Sequence, residues 1–509
     1  MKFKVSEDKK FLILIESTEL ELAQITLCFT KKVDNYFIIK KRMPHWDGEV
    51  AFIDRYGRIP IGLWGEVKNV CKQYYFKLEI EGVGILKDET INEEDFKEWN
   101  DLYFEEADLF PYDFQIEGAL RAMQFRFCTE EISTSGGKTL MAFMMFRYLL
   151  DKKRIKKLLY VVPNITLITQ TEEKFYEYEE RCKKKIKWKS ECVYSGAKQD
   201  NHENIQITFG TYQSLTKRDV EFFKDYDAVV IDETHHASNN SIKVIIVKCY
   251  NAIYRIGLTG TLPKDGTCQS FTIQAYLGPK VYTVYSSDLI KEAHATPVHV
   301  IGIELDYLDK ETKKKLYDLR NVAAEEKDGA KLLVLEKNIA RENRKRLLYI
   351  CETIAKMNKN TLVLFADIQN EYGRHIYNWL RENTDKTVYY IDGGTKSENR
   401  DYYKKQMEEQ ENVVLVASSG TFSEGVDILN VHNLHVTESH KSEFIVRQFL
   451  GRGMRLLEGK DVINVFDYSD DYEYGSGYQK KNYLMRHADE RAKIYKEKQF
   501  PFKKFKVKL

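Results

Sequence analysis

Ser133-Thr134-Ser135-Gly136-Gly137-Lys138-Thr139, running straight into the apolar, helix-forming stretch Leu140 to Leu150, decides how the rest of the chain is read. Two adjacent glycines let main-chain N–H groups approach a phosphate without a side chain in the way. A helix beginning at the loop adds its positive N-terminal field. Thr134, Ser135, Gly136 and Gly137 are expected to form the cradle, Lys138 to reach the β- and γ-phosphate oxygens of ATP, and the Thr139 hydroxyl to help hold Mg2+. The strict GxxxxGK[ST] spacing is not met, because Ile132 stands at the first glycine position. A bare glycine turn would also contain GGKT, so the reading needs support elsewhere.

That support lies downstream. Val229-Val230-Ile231 reads as a buried strand that delivers Asp232-Glu233-Thr234-His235 to its carboxyl end. Two adjacent carboxylates there suit metal-assisted phosphoanhydride hydrolysis. Asp232 is expected to bind the metal, and Glu233 to orient and deprotonate the attacking water. Upstream, Gln115 opens a helix after Pro111-Tyr112, and its amide matches the N6 and N7 edge of adenine.

Around these motifs the pattern alternates. Runs at 157–162, 205–209, 228–231 and 252–258 are β-branched and separated by helical segments, the signature of a parallel sheet flanked by helices. A second series starts near Val298 and includes 361–365, 387–390, 413–416 and 462–466. The expected organisation is a small α+β module over 1–86, an acidic linker over 87–108, a first α/β lobe over 109–290, a second over 291–472, and a helical basic tail over 473–509. The linker carries ten acids against one lysine from Asp88 to Asp108, and the tail eleven Lys and Arg against three acids from Gln479 to Leu509. The tail is therefore either a phosphate footprint or a solvated helix end.

Composition closes off other classes. Net charge is only +1, and no apolar run is long enough to cross a bilayer as a helix. The start has no signal-peptide pattern, and eight scattered cysteines read as reduced thiols of a cytoplasmic protein. In the N-terminal module, Lys41 and Arg42 lie beside Trp46, a basic-aromatic pairing that suits a nucleic-acid grip. The alternative places Trp46 in the core.

The order of motifs then becomes specific. Gln115, 133–139, Asp232 to His235 and Leu258-Thr259-Gly260-Thr261 resemble motifs Q, I, II and III of superfamily 2 helicases. Segments 160–167 and 210–215 resemble motifs Ia and Ib, which implies strand-backbone contacts by Pro163, Thr166, Gly210 and Thr211. Segment 418–427 resembles motif V, implying a strand contact at Thr421 and ribose contacts at Gly425 and Asp427. Segment 445–455 resembles motif VI. It implies that Gln448, Arg452 and Arg455 serve hydrolysis, the guanidinium groups stabilising charge on the γ-phosphate. The resemblance implies two tandem RecA-like lobes.

Met43-Pro44-His45-Trp46-Asp47-Gly48 and the segments after it are similar to the N-terminal domain of the UvsW recombination helicases of T-even phages. That resemblance implies an ATP-dependent DNA helicase working on branched or forked DNA by fork regression, Holliday-junction branch migration and D-loop or R-loop unwinding. Expected partners are DNA, the RNA of R-loops, and single-strand-binding or recombination proteins, inside a phage-infected cell. Competing readings are an RNA helicase and the motor subunit of a restriction system.

Overall fold

Most of the β-branched runs picked out in the sequence are strands of all-parallel sheets. The chain is seen here in a computed structural model that describes residues 1–509 apart from 9, 34–35, 37–44, 83–87, 134, 196–203, 237–238, 326–328, 367–370, 424–427, 440–455 and 458. It divides into two compact units, Met1–Val284 and Tyr285–Leu509.

The first unit begins with β1 (Lys2–Val5), β2 (Phe11–Glu16), β3 (Thr30–Lys32), β4 (Glu49–Ala51), β5 (Arg58–Pro60) and β6 (Glu79–Glu81). Four of these form a sheet in the order β5-β2-β1-β6, and β3 pairs with β4. Period-two alternation puts Phe3, Leu12 and Ile59 on one face, where they meet Ile25, Phe29 and Val67 from two helices. The same core takes in Phe271 and Ala275 of the helix Cys268–Leu277. Gly62 makes that junction possible, since a Cβ there would lie 1.9 Å from the Gln274 carbonyl oxygen. Trp64 is half-buried at the edge of this core, with the Lys68 ammonium 4.2 Å above its ring.

The larger sheet of this unit contains β7 (Phe127–Ile132), β8 (Leu158–Val162), β9 (Ser190–Val193), β10 (Ile207–Thr211), β11 (Ala228–Asp232), β12 (Tyr254–Thr259) and β13 (Lys280–Val284). Their order is β13-β7-β12-β11-β8-β10-β9, every pairing parallel. Strands β8, β10, β11 and β12 are buried along their whole length, which is why they lack the apolar–polar alternation of a half-exposed strand.

The acidic stretch expected as a linker holds a helix, Glu93–Phe104, packed on this lobe. Asn92 caps it, its Oδ1 accepting from the Asp95 amide at 2.6 Å, and Glu93, Glu94 and Asp95 favour the positive helix end. Acids cluster there for local helix reasons, while Phe96, Tyr103 and Phe104 are buried. Phe96 meets Tyr148 edge-on at 5.0 Å, and the Tyr103 hydroxyl donates to Glu179 at 2.6 Å.

The second unit contains β14 (Val298–Asp306), β15 (Thr361–Phe365), β16 (Val388–Ile391), β17 (Val414–Ser418), β18 (Asn433–Val436), β19 (Ile463–Asp470) and β20 (Phe502–Lys508). They form a second all-parallel sheet in the order β16-β17-β15-β18-β19-β14-β20. The helical basic tail expected over 473–509 is thereby corrected. Its helix Tyr483–Glu497 is followed by β20, which pairs in parallel with β14 from Val300↔Phe502 to Asp306↔Lys508. Phe502, Phe505 and Val507 punctuate the lysines, and part of the charge is internal. Lys506 pairs with Asp471 at 2.5 Å, and the fully buried Arg491 pairs with Asp467 at 2.8 Å.

Candidate nucleotide site

The carboxyl edge of the first parallel sheet brings the motifs together, as expected where α/β sheets bind ligands. Strand β7 ends at Ile132, and its buried place in the strand explains why no glycine is needed there. The chain then turns, with Ser133 N donating to Val284 O at 3.0 Å and Gly136 N to Ser133 O at 2.7 Å. Gly137 has φ +75° and caps the helix Lys138–Asp151. A Cβ at Gly137 would lie 2.2 Å from the Gln115 Nε2 atom, so this position needs glycine for both conformation and space.

Gln115 braces the loop. Its Nε2 donates to Gly136 O at 3.0 Å and its Oε1 accepts from Tyr112 N at 2.9 Å. The amide expected to meet adenine is thus engaged with the phosphate loop. Ser135 and Thr139 stand half-buried at the loop and the first helical turn, and Thr134 lies outside the described residues.

Opposite the loop, β11 delivers Asp232 and Glu233. The Lys138 ammonium is 3.3 Å from a Glu233 carboxylate oxygen. Glu233 has φ +48°, a left-handed conformation that costs a non-glycine residue energy and that clusters at functional sites. That turn lets Glu233 N donate to Asp232 Oδ1 at 2.9 Å. Burial first, then the charge of Glu233, pushes the Asp232 carboxyl up to about 6 against the pull of Lys138. Two adjacent carboxylates facing one ammonium leave an excess of negative charge. The Thr139 hydroxyl and Asp232 carboxylate are hard oxygen donors of the kind Mg2+ takes alongside phosphate oxygens, so the residues fit that ion.

His235 ties this strand end to the next. The Thr259 hydroxyl gives its proton to Thr261 O at 2.9 Å, so His235 Nδ1, 2.5 Å away, is the donor in their contact. The sequence reading missed two buried tyrosines. Tyr160 OH donates to Asp232 Oδ2 at 3.1 Å, and Tyr212 OH donates to Asp232 O at 2.8 Å. Tyr160 sits inside an apolar strand, where a buried hydroxyl needs a partner, and that was the available signal for it; Tyr212, just past β10, carried no such signal.

Pro163 and Thr166 follow β8, and Gly210 and Thr211 end β10, all on the same sheet edge. Thr166 is exposed, while Gly210 and Thr211 are buried. In the second unit Thr421 is buried, accepting from the Ser418 hydroxyl at 2.7 Å. Trp46 is half-buried. Lys41, Arg42, Gly425, Asp427, Gln448, Arg452 and Arg455 lie outside the described residues.

Residues 116–264 match the family described as "Type III restriction enzyme, res subunit", and residues 330–456 match "Helicase conserved C-terminal domain". With two parallel α/β lobes and this site, the chain is a superfamily 2 helicase, an ATP-dependent hydrolase that binds nucleic acid. More narrowly, it resembles the UvsW helicases. The ATP-dependent DNA helicase uvsW of Enterobacteria phage T4 is 28% identical over 500 residues, spanning 96% of this chain and 95% of that protein. The type I restriction enzyme EcoAI endonuclease subunit of Escherichia coli is 25% identical over 363 residues, 66% of this chain and 43% of that one. In fold, the chain is similar to the crystal structure of T4 UvsW, with a TM-score of 0.50, 24% identity and 100% of both chains covered. It is also similar to the ATP-dependent type ISP enzyme LlaBIII bound to DNA, with a TM-score of 0.55, 15% identity, and 78% of this chain and 31% of that chain covered.

Proposed function

We propose that this helicase acts on branched DNA in recombination, repair and replication within a phage-infected cell. Its work there is fork regression, Holliday-junction branch migration and D-loop or R-loop unwinding. The reading is supported by similarity along nearly the whole length of a relative named as a DNA helicase. DNA is the partner, with R-loop RNA and single-strand-binding or recombination proteins as further ones.

The observation that carries the hydrolytic role is the contact of Lys138 with Glu233 beside Asp232. Lys138 releases Glu233 when a γ-phosphate takes its place, which frees that carboxylate to orient and deprotonate water. Thr139 and Asp232 would hold Mg2+, which supplies charge neutralisation on the phosphates. Ser135, Gly136 and Gly137 offer N–H groups to phosphate oxygens, and Gln115 holds the loop in shape for them. Pro163, Thr166, Gly210, Thr211 and Thr421 grip the strand backbone. Gln448, Arg452 and Arg455 are needed for hydrolysis, and Gly425 and Asp427 for nucleotide binding.

Unwinding is to be compared on matched forks, Holliday junctions, D-loops and R-loops, with structured RNA as a further substrate. The expected result is turnover on branched DNA that falls about 100-fold or more in Lys138→Ala, with DNA binding kept. Arg455→Ala should behave in the same way. Stimulation by structured RNA alone would overturn the DNA assignment, and wild-type turnover in Lys138→Ala would overturn the site.

A further inference from the structure

Asp232, the proposed metal ligand, is held by two tyrosine hydroxyls, one from inside β8 and one from the residue that follows β10, the two strands that lead into the proposed strand-gripping segments. Tyr160 lies in β8, three residues before Pro163, and Tyr212 follows Thr211 directly at the end of β10. Both side chains are buried, Tyr160 completely and Tyr212 to 4% exposure. One hydroxyl meets the Asp232 carboxylate at 3.1 Å and the other meets the Asp232 main-chain carbonyl at 2.8 Å. A third tie runs from the helix after the acidic motif. Lys248, the last residue of Asn239–Lys248, donates to Thr216 O at 2.9 Å and also to Arg218 O, in the loop just past Tyr212–Leu215. Gly210 allows the chain to fold back so tightly, since a Cβ there would lie 2.8 Å from the Leu215 side chain. These bonds link segments 163–166 and 211–218 to the side chain and main chain of Asp232 through a close-packed interior, a route by which a shift on engaging a strand would reach that acid.

We infer that Tyr160 and Tyr212 are positioning residues that couple strand engagement to hydrolysis, with Lys248 holding the same loop from behind. The inference rests on the proposed roles of Asp232 and of the strand-gripping segments. Coupling of this kind is reciprocal in binding free energy, so a nucleotide and a strand each change the affinity of the other by one common factor.

Tyr160→Phe, Tyr212→Phe and the double variant remove only the hydroxyls. ATP turnover is measured with and without a single-stranded DNA oligonucleotide. Strand affinity is measured with and without a non-hydrolysable ATP analogue and Mg2+. The expected result is that the ratio of stimulated to basal turnover falls at least fivefold in the double variant. The factor by which the analogue changes strand affinity should shrink toward one, with Tm held close to that of the wild type. An unchanged ratio, or equal proportional loss of basal and stimulated turnover, would overturn the inference and leave the tyrosines as packing. Lys138→Ala run alongside separates the two failures: turnover surviving there overturns the site itself, whereas its loss with an unchanged tyrosine ratio overturns only the coupling.

Discussion

Glu130 is a residue that the site does not explain. It lies in the middle of β7, is completely buried, and neither carboxyl oxygen has a hydrogen-bond partner among the described residues. Burial pushes its carboxyl far above the ordinary 4.5, only weakly opposed by the charge of Arg121. The folded chain therefore holds this proton where the unfolded chain has lost it, and stability falls as pH rises above 4.5. Glu130→Met should raise stability by about 1–3 kcal/mol, the usual cost of an unsatisfied buried polar group. The gain should grow from pH 5 toward pH 8 and be read from Tm. A Tm difference independent of pH would show that the carboxyl is not the cause. Glu233 shows the opposite trade. Its left-handed backbone is strained, so Glu233→Gly should melt no lower than the wild type while losing ATP hydrolysis.

At the scale of elements, two segments that look like appendages in sequence are built into the lobes. The acidic helix Glu93–Phe104 buries Phe96 completely. Phe96→Ala should cost about 3–5 kcal/mol, measured by denaturant unfolding, whereas a true linker would lose almost nothing. Strand β20 covers the edge of β14 and sends Val507 and Leu509 against the core of the second unit. Deleting residues 499–509 should lower the melting temperature of that unit by on the order of 5 °C or more, because β14 loses its partner row and the apolar side chains above it. Truncation is therefore a poor test of strand binding by the tail. Charge reversal at Lys503 and Lys508, which leaves β20 in place, isolates electrostatics, and unchanged salt dependence of DNA affinity in that variant would remove the tail from the footprint.

At the scale of the whole molecule, separate cores in the two units predict two calorimetric transitions. His435 marks the second. Its ring stacks on Phe466 with centroids 4.4 Å apart, and burial drives its ordinary value of 6.5 down to about 3. The unfolded chain takes up this proton first as pH falls. Its contribution is thus intact above 6.5 and is lost toward 3, up to about 4–5 kcal/mol at 1.36 kcal/mol per pH unit. Glu336 in the same unit, its carboxyl raised by burial despite Arg320, opposes that trend on the acid side. The single-site comparison therefore carries the test. His435→Phe should flatten the acid limb of the second transition and leave the first unmoved, and an unaltered limb would exclude this residue.

The sequence by itself determined the two α/β lobes, because β-branched runs alternating with helical segments bury best as parallel strands between helices, and it determined the glycine turn that opens the helix at Lys138. It also placed Asp232 and Glu233 at a strand end, since an apolar strand terminating in two acids leaves them at the carboxyl edge. What it could not determine depends on contacts between residues far apart in the chain. Gln115 meets Gly136, Tyr160 and Tyr212 meet Asp232, Phe96 meets Tyr148, and β20 meets β14 only after the sheets have formed. Lysine runs and acidic runs look like solvated appendages when local charge is all that can be seen. Only tertiary packing reveals which of their neighbours are buried, and so which charged segments are structural.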